Sequence, residues 1–227
     1  CFSISRELGC TKYFCFRATC KCSGVIWNTA TGEELRDRLR ASSNTTSLLR
    51  PFELPEHWTP IGKPTEAFLR YYNVYEAYRG GLVEMRWDPK EERHVFLIMY
   101  QGECFGAIGR ALTRNVIPKT KNYHTTFSHP FVAGEGDVAI LVEDCTSAIA
   151  AKEFGVGVAL AGTDLKPSYI KPLTFYSHVI IALDRDAAVK SLVLSERLKQ
   201  FVPTSTSLLE QDLKNMSITQ RHEWWRS

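Results

Sequence analysis

Asp184 and Asp186 stand two residues apart, where the apolar run VIIALD ends and AAVKSL, with the spacing of a helix, begins. A second apolar run, VAILVE, closes on Glu143. Side chains two apart on an extended chain point the same way, roughly 6–7 Å apart along the backbone. If the two runs are neighbouring strands, three carboxylates face one another beyond their carboxyl ends, where open α/β sheets gather functional groups. Two like charges about 4 Å apart repel by about 4 kcal/mol at an effective dielectric near 20. Such a cluster raises its own pKa values or recruits a cation. An all-oxygen set suits Mg²⁺ (or Mn²⁺), an ion that keeps several waters and binds substrate phosphates. Asp144 and Asp212 add to the field and to the candidate ligands. An isolated D-x-D reads more simply as a helix cap at Asp186 and a lysine partner, such as Lys190, for Asp184. The strand-ending Glu143 tips the balance towards the cation site.

The elements that must position these acids follow from the hydrophobic pattern. After Gly134-Glu135-Gly136, strands (DVAILVE, VGVALAG, HVIIALD) alternate with helices (TSAIAAKEFG, AAVKSLVLSERLKQFV), with a short helical or irregular SYIKPLTF between. Continuous apolar strands alternating with helices predict an α/β fold: a mostly parallel sheet flanked by helices. FGVGVALAGT is rich in glycine but lies on a strand and its exit, and reads as close backbone packing. Upstream, KPTEAFLRYYNVYEAYRG predicts a helix capped by Thr65 and stopped at Gly80-Gly81. GLVEMRW, RHVFLIMY and CFGAIGRAL predict strands, with turns at Asp88-Pro89 and Gln101-Gly102. The expected organisation is a cysteine-rich module over 1–40, a linker over 41–64, a small α+β basic subdomain over 65–135 and the α/β unit over 136–227. The linker rests on four prolines, Pro51, Pro55, Pro60 and Pro64, which forbid a continuous helix there. In the first module, short strands are expected around a turn at Ser23-Gly24, followed by an amphipathic helix, GEELRDRLR.

Charge is unevenly spread. Residues 1–129 carry 18 Lys+Arg against 13 Asp+Glu, a net of +5, while residues 130–227 carry 10 against 12, a net of −2. No acid occurs between Glu103 and Glu135, a stretch that holds Arg110, Arg114, Lys119 and Lys121. That is the balance a phosphate backbone needs, and equally that of a solvated face. Of seven cysteines, Cys1, Cys10, Cys15, Cys20 and Cys22 crowd the first 22 residues; Cys104 and Cys145 read as small core residues. No signal peptide is visible, which favours a zinc ion over disulfides, with a degenerate remnant of a zinc module as the competing reading. The chain starts at Cys1 and so reads as a fragment or a processed form. No apolar run approaches the roughly 20 residues that span a bilayer, so no membrane partner is expected. G-x-x-x-x-G-K-[ST], G-x-G-x-x-G and H-E-x-x-H are all absent, which argues against P-loop, dinucleotide and zincin chemistry.

VAILVEDCTSAIAAKEFGVGVALAGTDL, HVIIALDRDAAVKSLVLSERL and LLEQDLKNM together resemble a Toprim domain, the unit shared by bacterial-type primases, type IA and II topoisomerases and some nucleases. Its signature is a strand-ending Glu, a Gly-Thr after the second strand and a D-x-D after the third: here Glu143, Gly162-Thr163 and Asp184/Asp186. RHVFLIMYQGECFGAIGRALTRNVIPKTKNYHTTF resembles the basic subdomain that precedes Toprim in bacterial and phage primases. FSISRELGCTKYFCFRATCKCSGVI resembles the second half of a primase zinc-binding domain. The resemblance implies a DNA primase acting on single-stranded DNA template and ribonucleoside triphosphates, with a replicative helicase in cis or trans, in the cytoplasm of a bacterial cell or phage-infected host. It implies Glu143, Asp184 and Asp186 as catalytic metal ligands, with Arg93, Arg110, Lys119, Lys121 and Arg185 on template or nucleotide. Cys1, Cys10, Cys15 and Cys20 are the implied Zn²⁺ ligands. Another Toprim enzyme (nuclease or topoisomerase-like) and a non-catalytic single-stranded nucleic-acid-binding protein are the alternatives. Where primases have Gly after the Glu and Asp three residues on, this chain has Asp144 and Ser147; where Ala-Gly follows the D-x-D, it has Ala187-Ala188-Val189. These departures imply that one metal ligand, or its support, is lost or moved, with Asp144 as the candidate for its new place.

Overall fold

The computed structural model describes residues 2–7, 10–15, 23–27, 32–41, 51–123, 129–162 and 164–226. Its first sheet is an antiparallel meander of β1 (Phe2–Glu7), β2 (Cys10–Cys15) and β3 (Ser23–Trp27), followed by α1 (Gly32–Ala41). Ser23-Gly24, expected as a turn, instead opens β3 and pairs with Tyr13 and Phe14. Arg36 and Arg40 of α1 donate to the carbonyls of Phe201 and Thr174, which ties this helix to the last third of the chain.

The stretch expected as one helix is two, α2 (Lys63–Tyr71) and α3 (Tyr75–Arg79). They are broken at Asn73, whose φ of 55° is left-handed, a conformation that asparagine tolerates. The helix also starts earlier than Thr65: Gly62 is its cap and Pro64 its first turn, where a fixed φ is an advantage. Thr65 is buried inside it.

β4 (Met85–Asp88), β5 (Arg93–Tyr100), β6 (Glu103–Ala111) and β7 (Thr120–Asn122) form an antiparallel sheet in that order. Gln101 and Gly102, at φ 50° and 82°, make the tight turn between β5 and β6, as a two-residue hairpin demands. The second half of the expected linker is part of this subdomain. Thr59 and Trp87 exchange backbone hydrogen bonds of 2.9 and 2.7 Å, and Phe52 N donates to Cys104 O. Trp58 is buried against Val95, Leu97 and Ala107 on one face of the sheet. Prolines forbid a helix there but not an extended strap, and the apolar residues between them give the strap something to bury.

The third sheet has the order β12-β11-β9-β10-β8. Its strands are β8 (Phe131–Ala133), β9 (Val138–Val142), β10 (Val156–Ala159), β11 (His178–Asp184) and β12 (Thr204–Leu209). All pairs are parallel except β8 with β10, an antiparallel edge. α4 (Cys145–Ala151), α5 (Pro167–Leu173) and α6 (Ala188–Leu198) connect the strands, and α7 (Ile218–Arg226) closes the described chain. β8 and β12 were not expected. TSTSLL is polar because β12 is an edge strand with only part of its surface covered.

All seven residues of α4 are buried, and most are small, so the helix sits close on the sheet. A Cβ at Gly157 would lie 1.9 Å from Ala148 O. The glycines of FGVGVALAG thus allow backbone contact, as the sequence pattern suggested. A single hydrophobic cluster runs from Leu69, Phe96 and Ile108 through Phe131 to Ile140, Ile181 and Leu213, joining the basic subdomain to the parallel sheet. Arg221 of α7, 1% exposed, donates to Leu213 O at 2.8 Å and Tyr72 O at 3.1 Å and so clamps both units. Trp224 Nε1 donates to Ser207 Oγ at 2.8 Å. Among the described residues no helix is long and apolar enough to cross a membrane.

Gly157→Ala is expected to lower stability by about 3 kcal/mol, because α4 must lift off β10 to admit the methyl group. Urea unfolding checks this; an unchanged midpoint would show that the helix–strand contact yields freely.

Candidate active site

β9 and β11 are hydrogen-bonded neighbours, in register from His178 opposite Val138 to Ile181 opposite Leu141. Their ends therefore lie side by side, with Glu143 closing one and Asp184 the other. β12 pairs with β11 up to Asp184 opposite Leu209, so the chain through Asp212 begins at the same end of the sheet. The crossing after β10 folds back over this end: Gly162, at φ 142°, donates its N–H to Glu143 O. Thr163 lies outside the described residues.

Asp184 carries the mark of the cluster. Its carboxyl is pushed up to about 6, first by burial and then by the charges of Asp212, Asp186 and Glu143, with Lys214 opposing them. One of its oxygens, Oδ1, is buried without a hydrogen-bond partner. Neither aspartate serves as a helix cap. Asp184 precedes the 3₁₀ turn Arg185–Ala187 without a side-chain bond to it, and α6 starts after Ala187 with no side-chain cap. Glu143 and Asp186 are exposed.

Asp144 and Asp212 are placed differently from the expectation that they add free ligands. Asp144 caps α4, accepting from Ser147 N at 2.9 Å, and its other oxygen lies 2.6 Å from Lys214 Nζ. Lys214 Nζ also donates to Asp212 Oδ2. Burial works to raise the Asp144 carboxyl, but the Lys214 ammonium, the Ser147 N–H and Arg110 together hold it below the usual carboxylate range. Lys214 is the charged residue at this end of the sheet that the sequence did not single out, although it stands two residues from Asp212 in LLEQDLKNM. A lysine two residues beyond an aspartate carries no signal until the fold brings Asp144 to it.

The expected basic residues divide. Arg110, half-buried on β6, lines a space of about 20 Å³ with Asp144, Lys214, Thr120, Phe68 and Phe96, so the basic sheet reaches the acid end of the parallel one. Lys119 is exposed, and Arg185 is 75% exposed with a loose 3.9 Å contact to Glu210. Arg93 is instead 2% exposed, its guanidinium set on Glu91 Oε2 at 3.4 Å and Lys119 O at 3.4 Å. Lys121 also pairs with Glu91. Arg93 braces the hairpin from within, whereas Lys121 pairs with Glu91 at the surface, its side chain 39% exposed. Opposite Arg110 across the β5–β6 ladder stands His94, buried between Phe68 and Phe96 with neither ring nitrogen bonded. Burial first, and Arg110 second, lower its pKa to about 3.

Of the expected zinc ligands, Cys1 and Cys20 lie outside the described residues. Cys10 and Cys15 mark the two ends of β2. An extended strand rises about 3.3 Å per residue, which puts their backbones roughly 16 Å apart. One zinc ion with Zn–S bonds of about 2.3 Å does not reach both. Cys145 is buried in the core as expected; Cys104 is half-buried.

Among the described residues no three of His, Cys, Asp and Glu converge as a ready-made metal cage. A magnesium ion needs only one or two carboxylates, its remaining positions going to water and substrate phosphate. The buried, unpartnered Asp184 oxygen, ringed by like charges at a strand end, is a fit for such an ion.

No protein-family model and no curated protein matches the chain. Solved structures do. The zinc-binding and RNA polymerase domains of the Aquifex aeolicus primase align over 89% of this chain at a TM-score of 0.52 and 17% identity. A DnaG primase catalytic domain bound to ssDNA aligns over 87% at 0.47 and 20%, and the E. coli primase catalytic core over 86% at 0.46 and 18%. The Aquifex aeolicus likeness establishes the fold: a mixed α/β architecture of the primase type. The chain spans 64% of the length of that Aquifex aeolicus chain and 71% of the ssDNA-bound one.

His94 gives the fold a pH signature. An unfolded chain protonates this histidine near pH 6.5, the folded one only near 3, so the unfolded state holds the extra proton between those values. The stabilisation from burying the neutral ring is complete above pH 6.5 and drains as pH falls, by about 1.4 kcal/mol per unit. His94→Leu is expected to remove that slope from acid-unfolding curves with no loss of stability at pH 7; a slope identical to the parent's would locate the acid sensitivity elsewhere.

Proposed function

We propose that the chain is the catalytic part of a DNA primase: a template-directed RNA polymerase that makes short primers on single-stranded DNA from ribonucleoside triphosphates. The observation that carries this reading is the orphaned Asp184 oxygen among the charges of Glu143, Asp186 and Asp212, at the carboxyl end of a parallel sheet, with Arg110 of the basic sheet lining a space shared with Asp144 and Lys214. A Toprim-like signature on a primase-type fold supports it.

In this reading Glu143, Asp184 and Asp186 hold Mg²⁺ (or Mn²⁺). When bound, the ion supplies Lewis-acid polarisation of the α-phosphate and neutralises the charge that develops on the leaving pyrophosphate. The chain does the positioning. Asp184 sits on a strand end that cannot swing, and its buried oxygen has no protein donor to compete for it. Arg185, exposed between the two aspartates, is free to meet a triphosphate. Arg110 orients the template or initiating nucleotide over the acids, and exposed Lys119 takes up backbone phosphate. Arg93 and Lys121 drop out of the contact set because Glu91 holds them. A helicase partner and a cytoplasmic setting in a bacterium or infected host belong to the same proposal, as does a zinc module at the cysteines of residues 1–22 in which Cys10 and Cys15 do not share one ion. No step depends on the zinc.

Single-stranded templates, labelled ribonucleotides and Mg²⁺ test the proposal directly. The parent chain is expected to give ladders of short RNA and Asp184→Ala none, a loss of at least about 10³-fold. Equal ladders from both would refute the role of Asp184. Degradation of labelled DNA with Mg²⁺ and no nucleotides would make the chain a Toprim nuclease. Binding of single-stranded DNA without turnover would make it a non-catalytic subunit.

A further inference from the structure

The gap between Asp144 and Asp212 already contains a cation, and it belongs to the chain. Lys214 Nζ lies 2.6 Å from Asp144 Oδ2 and donates to Asp212 Oδ2, with only 8% of the lysine exposed. Both oxygens of Asp144 are in use, since Ser147 N takes the other at 2.9 Å. The lysine has little freedom to leave. It rides on the 3₁₀ turn Leu213–Asn215, directly after Asp212, and Arg221 pins that turn through Leu213 O at 2.8 Å. Swinging it out would leave two carboxylates facing each other with only the charge of Arg110 acting on Asp144 to offset them, a costly arrangement at partial burial.

Two carboxylates closing on one positive centre, next to a third acid with a free buried oxygen, is the arrangement a pair of divalent ions would use. We infer that the Lys214 ammonium is a tethered cation that takes the place of a second metal ion between Asp144 and Asp212. The chain then binds a single divalent ion, on Glu143, Asp184 and Asp186. The count of one rests on the proposed role of those three acids; the exclusion of metal from Asp144 and Asp212 does not. A lysine is a poor substitute in one respect: it brings a single charge, where a divalent ion brings two. Arg110, whose charge also acts on Asp144, offsets part of that deficit. It is better in another, because it cannot be removed by chelators or displaced by competing ions.

Bound Mn²⁺ can be counted per chain from the free-ion electron paramagnetic resonance signal, with the full chain and without nucleotide or DNA. One ion is expected for the parent, two for Lys214→Met and one for the double variant Lys214→Met/Asp184→Ala. Two ions on the parent, or an unchanged count on a folded Lys214→Met, overturns the inference. If Lys214→Met fails to fold by circular dichroism, Asp212→Asn on the parent background decides: the count should stay at one, and a drop makes Asp212 a ligand and overturns it. No ion on the parent but one on Lys214→Met would uphold the tethered cation and refute the proposed Asp184 site. No ion on either refutes both.

Discussion

Repulsion among carboxylates is the constraint from which the site is built. Glu143, Asp144, Asp184, Asp186 and Asp212 gather at one end of the parallel sheet, and a low-dielectric core lies directly beneath them. A fold can tolerate such crowding by letting groups protonate, by exposing them to water or by supplying positive charge. All three responses are present. Asp184 is shifted towards the neutral form, Glu143 and Asp186 stand in solvent, and Lys214 supplies one positive charge between Asp144 and Asp212. The response differs at each residue because its depth differs.

The same constraint explains why the two sheets meet where they do. The antiparallel sheet is rich in positive charge, yet Arg93 and Lys121 spend theirs on Glu91 within their own subdomain. Arg110 points the other way, into the seam shared with Asp144 and Lys214. His94, opposite Arg110 across the ladder, stays neutral under burial and that neighbouring charge, so it adds no second cation to the seam. Phe96 and Phe131 seal the join at a ring-centroid separation of 5.6 Å.

Much of this was legible in the sequence, for identifiable reasons. The strands ending in Glu143 and Asp184 are apolar along most of their length because both are interior strands of the sheet and largely buried, and that makes them visible as runs. Their adjacency was only a condition in the sequence, because the alternation of strands and helices does not say that β11 pairs with β9 rather than with β10. Edge strands gave no such signal: TSTSLL and the three residues of β8 are short or polar, and their pairing is set by the neighbour rather than by their own pattern. The proline-rich segment misled for a related reason. Its prolines announce the absence of a helix, whereas the burial of Trp58 depends on a sheet face assembled some forty residues later. Charged residues were the hardest to assign. Arg93, Lys121 and Lys214 each meet a partner distant in sequence (Lys119 O, Glu91 and Asp144 respectively), and composition cannot tell a pinned charge from a free one.

Arg221 gives the architecture a mechanical character. Its guanidinium bridges a carbonyl at the end of α2 and a carbonyl in the turn that carries Lys214, from within a helix that also packs on β12 through Trp224. A hinge between the two sheets would have to break one of those bonds and strand a buried acceptor, at about 1–3 kcal/mol. The seam therefore behaves as a fixed gauge rather than a jaw. Whatever occupies the space over the acids must fit a width that the last helix sets, and adaptation to different occupants falls to the exposed side chains at its rim, Arg185 and Lys119, rather than to the backbone.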